Sequence, residues 1–268
     1  MAEKPPILFL HGAFAGPEIW TRFVAPWFAA RGHEVLAPRL AGPLLGPPAR
    51  LRDYVGRALD AADRLASPPV VVGHSLGGLV AQHLAARRAV AGTVLVASPG
   101  PCGLGPSLWQ LSAGAPEVLA ALLVTQAGGG ALVGRETIRR ALFTEDTPDA
   151  WIDGLAMVAD RESPLALLDG LTWDLPNWFM VRRAPVLALL GDSDAFVPVT
   201  DLWGIAAAYG AETDRMAGFG HGMPIDPRWE SLARRIDAWL EARRIGLGRP
   251  AATRTGLMNP VAFPAEMR

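Results

Sequence analysis

A serine stands at a bend in the stretch Val70-Val71-Val72-Gly73-His74-Ser75-Leu76-Gly77-Gly78-Leu79-Val80. The three β-branched residues after Pro68-Pro69 read as a short buried strand, and Gly77-Gly78 followed by Leu79, Val80, Leu84 and Ala85 reads as the start of a helix. Ser75 lies between them. Its flanks, Gly73 and Gly77, give G-x-S-x-G, where small residues let the chain turn sharply and hold the hydroxyl clear of the backbone. A serine hydroxyl is a poor nucleophile at neutral pH; it needs an imidazole to accept its proton and a carboxylate to orient that imidazole. The chain has five histidines: His11, His33, His74, His83 and His221. His83 falls about two turns into the helix, too far along it to reach back. His221 lies in Gly218-Phe219-Gly220-His221-Gly222-Met223-Pro224, a glycine-rich loop able to bring a ring over the serine.

The bend resembles the nucleophile elbow of the α/β-hydrolases. The resemblance runs from Ile7 to Ser98 and from Ala184 to Arg244 and is specific at four motifs: the G-x-S-x-G, an HG-x loop at His11-Gly12-Ala13-Phe14, a D-x-x-V-P pattern at Asp194-Ala195-Phe196-Val197-Pro198, and the loop of His221. It implies the chain order nucleophile, acid, histidine, which leaves His221 as the base. Asp194 takes the orienting role, with Asp192 as the alternative. The tetrahedral intermediate needs two backbone N–H donors: Leu76, after the nucleophile, and Ala13 in the HG-x loop, with Phe14 as the alternative to Ala13. The expected reaction is hydrolysis of a carboxylic ester through an acyl-enzyme. Thioester, lactone, perhydrolysis and carbon–carbon bond chemistry on the same triad are the alternatives. Dehalogenases and epoxide hydrolases of this fold use an elbow aspartate, so Ser75 argues against both. A ligand receptor on this scaffold can dispense with a triad member, and this chain keeps all three.

These residues must be carried by a sheet. Ile7 to Leu10 reads as a strand, Glu18 to Ala30 as a helix, His33 to Leu40 as a strand, Leu51 to Leu65 as a helix, Val70 to Val72 as the central strand and Thr93 to Ala97 as another. The rhythm resumes with a strand at Pro185 to Leu190, a helix from about Thr200 to Tyr209, a weak strand near Thr213 to Met216 and a helix from Trp229 to Arg244. The pattern predicts an α/β fold, a mostly parallel sheet with helices on both faces. Residues 1–100 and 184–245 form the core, 101–183 an inserted helical cap over the C-terminal edge of the sheet, and 246–268 a tail without periodicity. Other residues carry plainer expectations: His74 packs in the elbow, His11 braces its loop, His33 is solvated and Cys102 is a bystander. The tryptophans of the insertion form its core, with Trp173 and Trp178 placed near enough to the sheet to line a pocket.

Composition bounds the partners. A formal net charge of -1 over 268 residues gives no basic surface for nucleic acid. One cysteine forms no internal disulfide and nothing resembles a thiol-based zinc site, so no metal or cofactor is expected and a reducing compartment fits. The apolar run Val118 to Val124 is far short of the roughly 20 residues that span a bilayer, and Met1 leads through Pro5-Pro6 into a strand without a signal segment. A cytoplasmic protein is expected. The insertion is rich in Leu, Ala, Val and Trp and poor in clustered Lys or Arg, which predicts an apolar pocket for a small ester-like substrate with a short or medium acyl or aromatic group.

Overall fold

The computed structural model describes residues 4–41, 48–155, 162–181 and 183–245. The expected tail, 246–268, lies outside them. Six strands form one parallel sheet in the order β2-β1-β3-β4-β5-β6: β1 (Ile7–Leu10), β2 (Val35–Leu36), β3 (Val70–His74), β4 (Gly92–Val96), β5 (Val186–Gly191) and β6 (Glu212–Met216). β1, β3, β4 and β5 are buried at every residue, as expected of strands covered on both faces, and alternation appears only at the edge strand β6. One core layer packs α3 (Leu51–Ala62), α4 (Leu76–Arg87) and α11 (Val199–Tyr209) on one face of the sheet. The other packs α1 (Glu18–Thr21), α2 (Val24–Ala29) and α12 (Trp229–Ala242) on the opposite face.

Two expected elements are shorter than their sequence pattern. The helix over Glu18 to Ala30 is broken in two, because Pro26 has no N–H to continue the ladder and sits in the first turn of α2, where none is needed. At the break Phe23 turns its ring onto Trp151 and Trp229, with centroids 5.6 and 5.5 Å away. The strand over His33 to Leu40 pairs only at Val35 and Leu36; Pro38 cannot donate to the ladder. His33, expected to be solvated, is buried, and its Nδ1 lies 2.8 Å from the Pro5 carbonyl oxygen.

Between β4 and β5 the chain forms helices α5 (Gly105–Gly114), α6 (Pro116–Val124), α7 (Arg135–Leu142), α8 (Asp149–Gly154), α9 (Pro164–Thr172) and α10 (Trp178–Val181). Trp109, Trp173 and Trp178 are exposed rather than core of this segment. A small apolar cluster of Leu111, Ala115 and Val118 holds α5 to α6. Polar contacts fasten α9 to the start of α3: Asp169 accepts from Arg50 Nε and Nη2 at 3.0 and 2.7 Å and from the Leu51 amide at 3.2 Å. Among the described residues no single helix is long and apolar enough to cross a membrane.

Candidate active site

Ser75 occupies the junction of β3 and α4 with φ 53° and ψ −125°, a backbone state that L side chains rarely adopt. Its amide donates to Val96 O in the neighbouring strand at 3.0 Å, which pins the bend to the sheet. The flanking glycine is sterically required: a Cβ on Gly77 would come within 2.4 Å of the Leu10 and His11 carbonyl oxygens. With helix and strand in such close contact, the serine side chain is left half-buried at the C-terminal edge of the sheet.

His221 follows β6 on its loop. Its Nδ1 lies 2.9 Å from Asp194 Oδ2 and 3.1 Å from Oδ1, and the carboxylate is almost fully buried. Oδ1 also accepts from the amides of Phe196 and Val197 at 2.8 and 2.9 Å, so the acid is fixed by its own turn. Asp192 faces elsewhere: its Oδ1 accepts from Gly218 N at 3.1 Å and from Ser193 Oγ at 3.2 Å. The histidine loop is glycine-rich because the end of α7 lies against it. Gly222 N donates to Leu142 O at 2.7 Å, and a Cβ on Gly220 would come within 2.7 Å of the Leu142 and Phe143 carbonyl oxygens.

His74 does more than pack. Its Nε2 donates to the His221 carbonyl at 2.8 Å and holds that loop over the elbow. Burial first, and the nearby His221 second, push its pKa down to about 3, so the ring is neutral at physiological pH. His11 braces its loop, as expected: Leu40 N donates to Nε2 at 2.9 Å, which places the proton on Nδ1, and Nδ1 donates to Gly12 O at 2.9 Å.

The two amides proposed from sequence as oxyanion donors differ in kind. Leu76 N is the first amide of α4 and has no intrahelical acceptor. In the HG-x loop the Phe14 amide is engaged by Glu162 Oε2 at 3.2 Å, and Ala13 and Phe14 both lie on the wall of a cavity. That cavity, of about 350 Å³, is lined by Ser75, His221, Ala13 and Leu76 together with apolar side chains of the insertion such as Leu111, Val118, Leu119, Leu122 and Ile138. No Lys, Arg, Asp or Glu is among its described lining residues, and neither Trp173 nor Trp178 lines it. Glu162 and Gln110, whose Nε2 donates to Asp194 O at 3.0 Å, had no signal in the sequence, since each contact joins residues more than 80 apart in the chain.

Residues 7–252 match the sequence model of the Alpha/beta hydrolase family. The chain belongs to this family. A curated relative, the pimeloyl-[acyl-carrier protein] methyl ester esterase of Aromatoleum aromaticum, is 31% identical over 228 residues, 74% of this chain and 82% of that protein. Among solved structures, this hydrolase superposes on a thermophilic esterase from Thermogutta terrifontis with a TM-score of 0.69 at 18% identity, over 90% of this chain and 91% of the other. It also superposes on the 2-hydroxy-6-oxo-6-phenylhexa-2,4-dienoate hydrolase of Rhodococcus sp. strain RHA1 with a TM-score of 0.62 at 19% identity, over 91% and 92% of the two chains. These two likenesses speak to the fold alone.

Proposed function

We propose that this hydrolase is a serine esterase cleaving an uncharged carboxylic ester with an apolar acyl or aromatic group. One observation carries the reading: Ser75, held at a strained bend, opens into the same apolar cavity as His221, whose far nitrogen meets a buried carboxylate. Ser75 Oγ attacks the ester carbonyl while His221 Nε2 takes its proton. Asp194 holds Nδ1–H and stabilises the imidazolium, and the amides of Ala13 and Leu76 bind the oxyanion. Collapse of the tetrahedral intermediate breaks the C–O bond, and the alcohol leaves with the proton from His221. Water, activated by the same ring, then releases the acid and restores Ser75.

The uncharged cavity wall favours an uncharged substrate, because an ionised group carried into it would lose its hydration without a partner. The methyl ester substrate in the name of the Aromatoleum aromaticum relative belongs to the same reaction class. In this reading residues 101–183 act as a cap that shapes the acyl pocket. A fluorophosphonate probe should label Ser75 in the folded protein, and Ser75→Ala should abolish both labelling and ester turnover, by several orders of magnitude, with its melting temperature little changed. A folded wild-type protein that takes no label at Ser75 would refute the assignment.

A further inference from the structure

Glu162 is 3% exposed and belongs to the inserted segment, yet its carboxylate reaches the loop after β1. Three donors from three parts of the molecule converge on it. Phe14 N donates to Oε2 at 3.2 Å, Ser163 N donates to Oε1 at 2.7 Å, and Tyr54 Oη on α3 donates to Oε1 as well. Its backbone is engaged too: Glu162 N donates to Gln126 Oε1 at 3.2 Å and Gln126 Nε2 donates back to Glu162 O at 2.8 Å. Gln126 lines the cavity.

The position of Phe14 gives this contact its consequence. Phe14 has φ 56°, in the left-handed region that a bulky residue seldom occupies without support. A trans peptide is planar with its C=O and N–H opposed. Gly12 O is held by His11 Nδ1, so the amide in the same peptide plane, that of Ala13, is turned away from His11. The next plane, between Ala13 and Phe14, is held by Glu162 through the Phe14 amide. Ala13 is thus gripped on both sides, once from the core and once from the insertion.

We propose that Glu162 is a positioning residue for the oxyanion hole: by accepting the Phe14 amide it orients the Ala13 donor and removes Phe14 N–H as a competing one, so that the hole is complete only with the insertion seated. The proposal rests on the serine esterase reading above. Its substrate consequence is that transition-state binding, rather than ester affinity, depends on this carboxylate.

The test compares Glu162→Gln with Tyr54→Phe, using p-nitrophenyl butyrate turnover, fluorophosphonate labelling rate and melting temperature. The Gln side chain presents one oxygen and one NH2 to three donors, so one face of it meets an N–H with an N–H. Loss of one oxyanion donor in a serine protease costs about 10²–10³ in kcat, and a misaligned donor should cost at least about tenfold, with KM changed less than about threefold and labelling slowed in proportion. Tyr54→Phe removes a hydrogen bond from the same carboxylate but leaves the Phe14 contact, so its kcat should stay within about twofold of wild type even if its melting temperature falls as far. Glu162→Asp, which withdraws the carboxylate by one methylene, carries the same expectation as the Gln variant and serves if that variant does not fold. Wild-type kcat in a folded Gln or Asp variant, or a rise in KM alone, would overturn the proposal. If wild-type protein takes no label, the nucleophile assignment fails; if wild type and Glu162→Gln label equally fast, only the role of Glu162 fails.

Discussion

Two carboxylates stand two positions apart after β5 and have different surroundings. Asp194 is enclosed with His221, while Asp192 braces the turn at Gly218 from the surface. Asn in place of Asp194 keeps the shape and the bonds from Phe196 and Val197 but presents an amide to Nδ1, which favours the wrong ring tautomer and removes the charge that stabilises the imidazolium. The expected loss in kcat is about 10³- to 10⁴-fold. Asn at 192 retains an oxygen for Gly218 N, so its kcat should stay within about threefold of wild type. Steady-state kinetics of the two variants decide between the carboxylates, and the reverse ranking would move the orienting role to Asp192. At this scale the local geometry around the motifs was legible because close backbone approach requires fixed local sequence: Gly77 permits the helix to touch Leu10 and His11, and Gly220 admits the end of α7. His33 was not legible. Nothing near it in sequence announces that Pro5, 28 residues away, offers it an acceptor in the core.

α11 shows how an element can carry an unfavourable group. Asp201 lies in its first turn, where a negative charge normally gains from the helix dipole, but it is 4% exposed and its Oδ2 has no hydrogen-bond partner among the described residues. Burial raises its pKa to about 7, opposed only in part by the hydrogen bond from the Gly100 amide. Because the folded-state value lies above that of an ordinary carboxyl group, the stability associated with the protonated form is present below about pH 4 and is lost as pH rises through 7. The loss at pH 8 is at most about 4 kcal/mol. Asp201→Asn, uncharged and of the same shape, should therefore melt several degrees higher than wild type at pH 8 and show a much smaller gain at pH 4.5. An equal shift at both values would mean that the carboxyl does not titrate in this range. Elements as such were readable where periodicity was undisturbed, as in α3, β3 and α12. They were misjudged where one proline overrode it: Pro26 splits the first helix and Pro38 ends β2. The insertion carries proline punctuation as well, with Pro106, Pro116 and Pro164 in the first turns of α5, α6 and α9, but its helices pack on one another and on the core, so no alternation with strands marks where each one ends.

At the scale of the whole molecule, the sheet presents the serine and side chains of the insertion wall the cavity that it lines. The sequence gives the insertion's apolar character, but no local rule tells whether a given Leu faces the core, the cavity or water. Leu111 lines the cavity, whereas Leu132 is 81% exposed. A volume of about 350 Å³ is small for a ligand pocket, for which roughly 300 to 1,000 Å³ is usual. Burying one methylene contributes about 0.8 kcal/mol, or about fourfold in kcat/KM if the chain is bound in the transition state. Across p-nitrophenyl esters of rising length, kcat/KM should thus climb by up to about fourfold per carbon while the chain still enters the cavity, and then level or fall. Leu122 is half-buried on the wall, so Leu122→Trp can take up cavity volume with its backbone in place, and it should move the turning point to shorter acyl chains. Turnover that ignores chain length in both proteins, or that is confined to charged acyl donors, would show that the acyl group does not lie in this cavity.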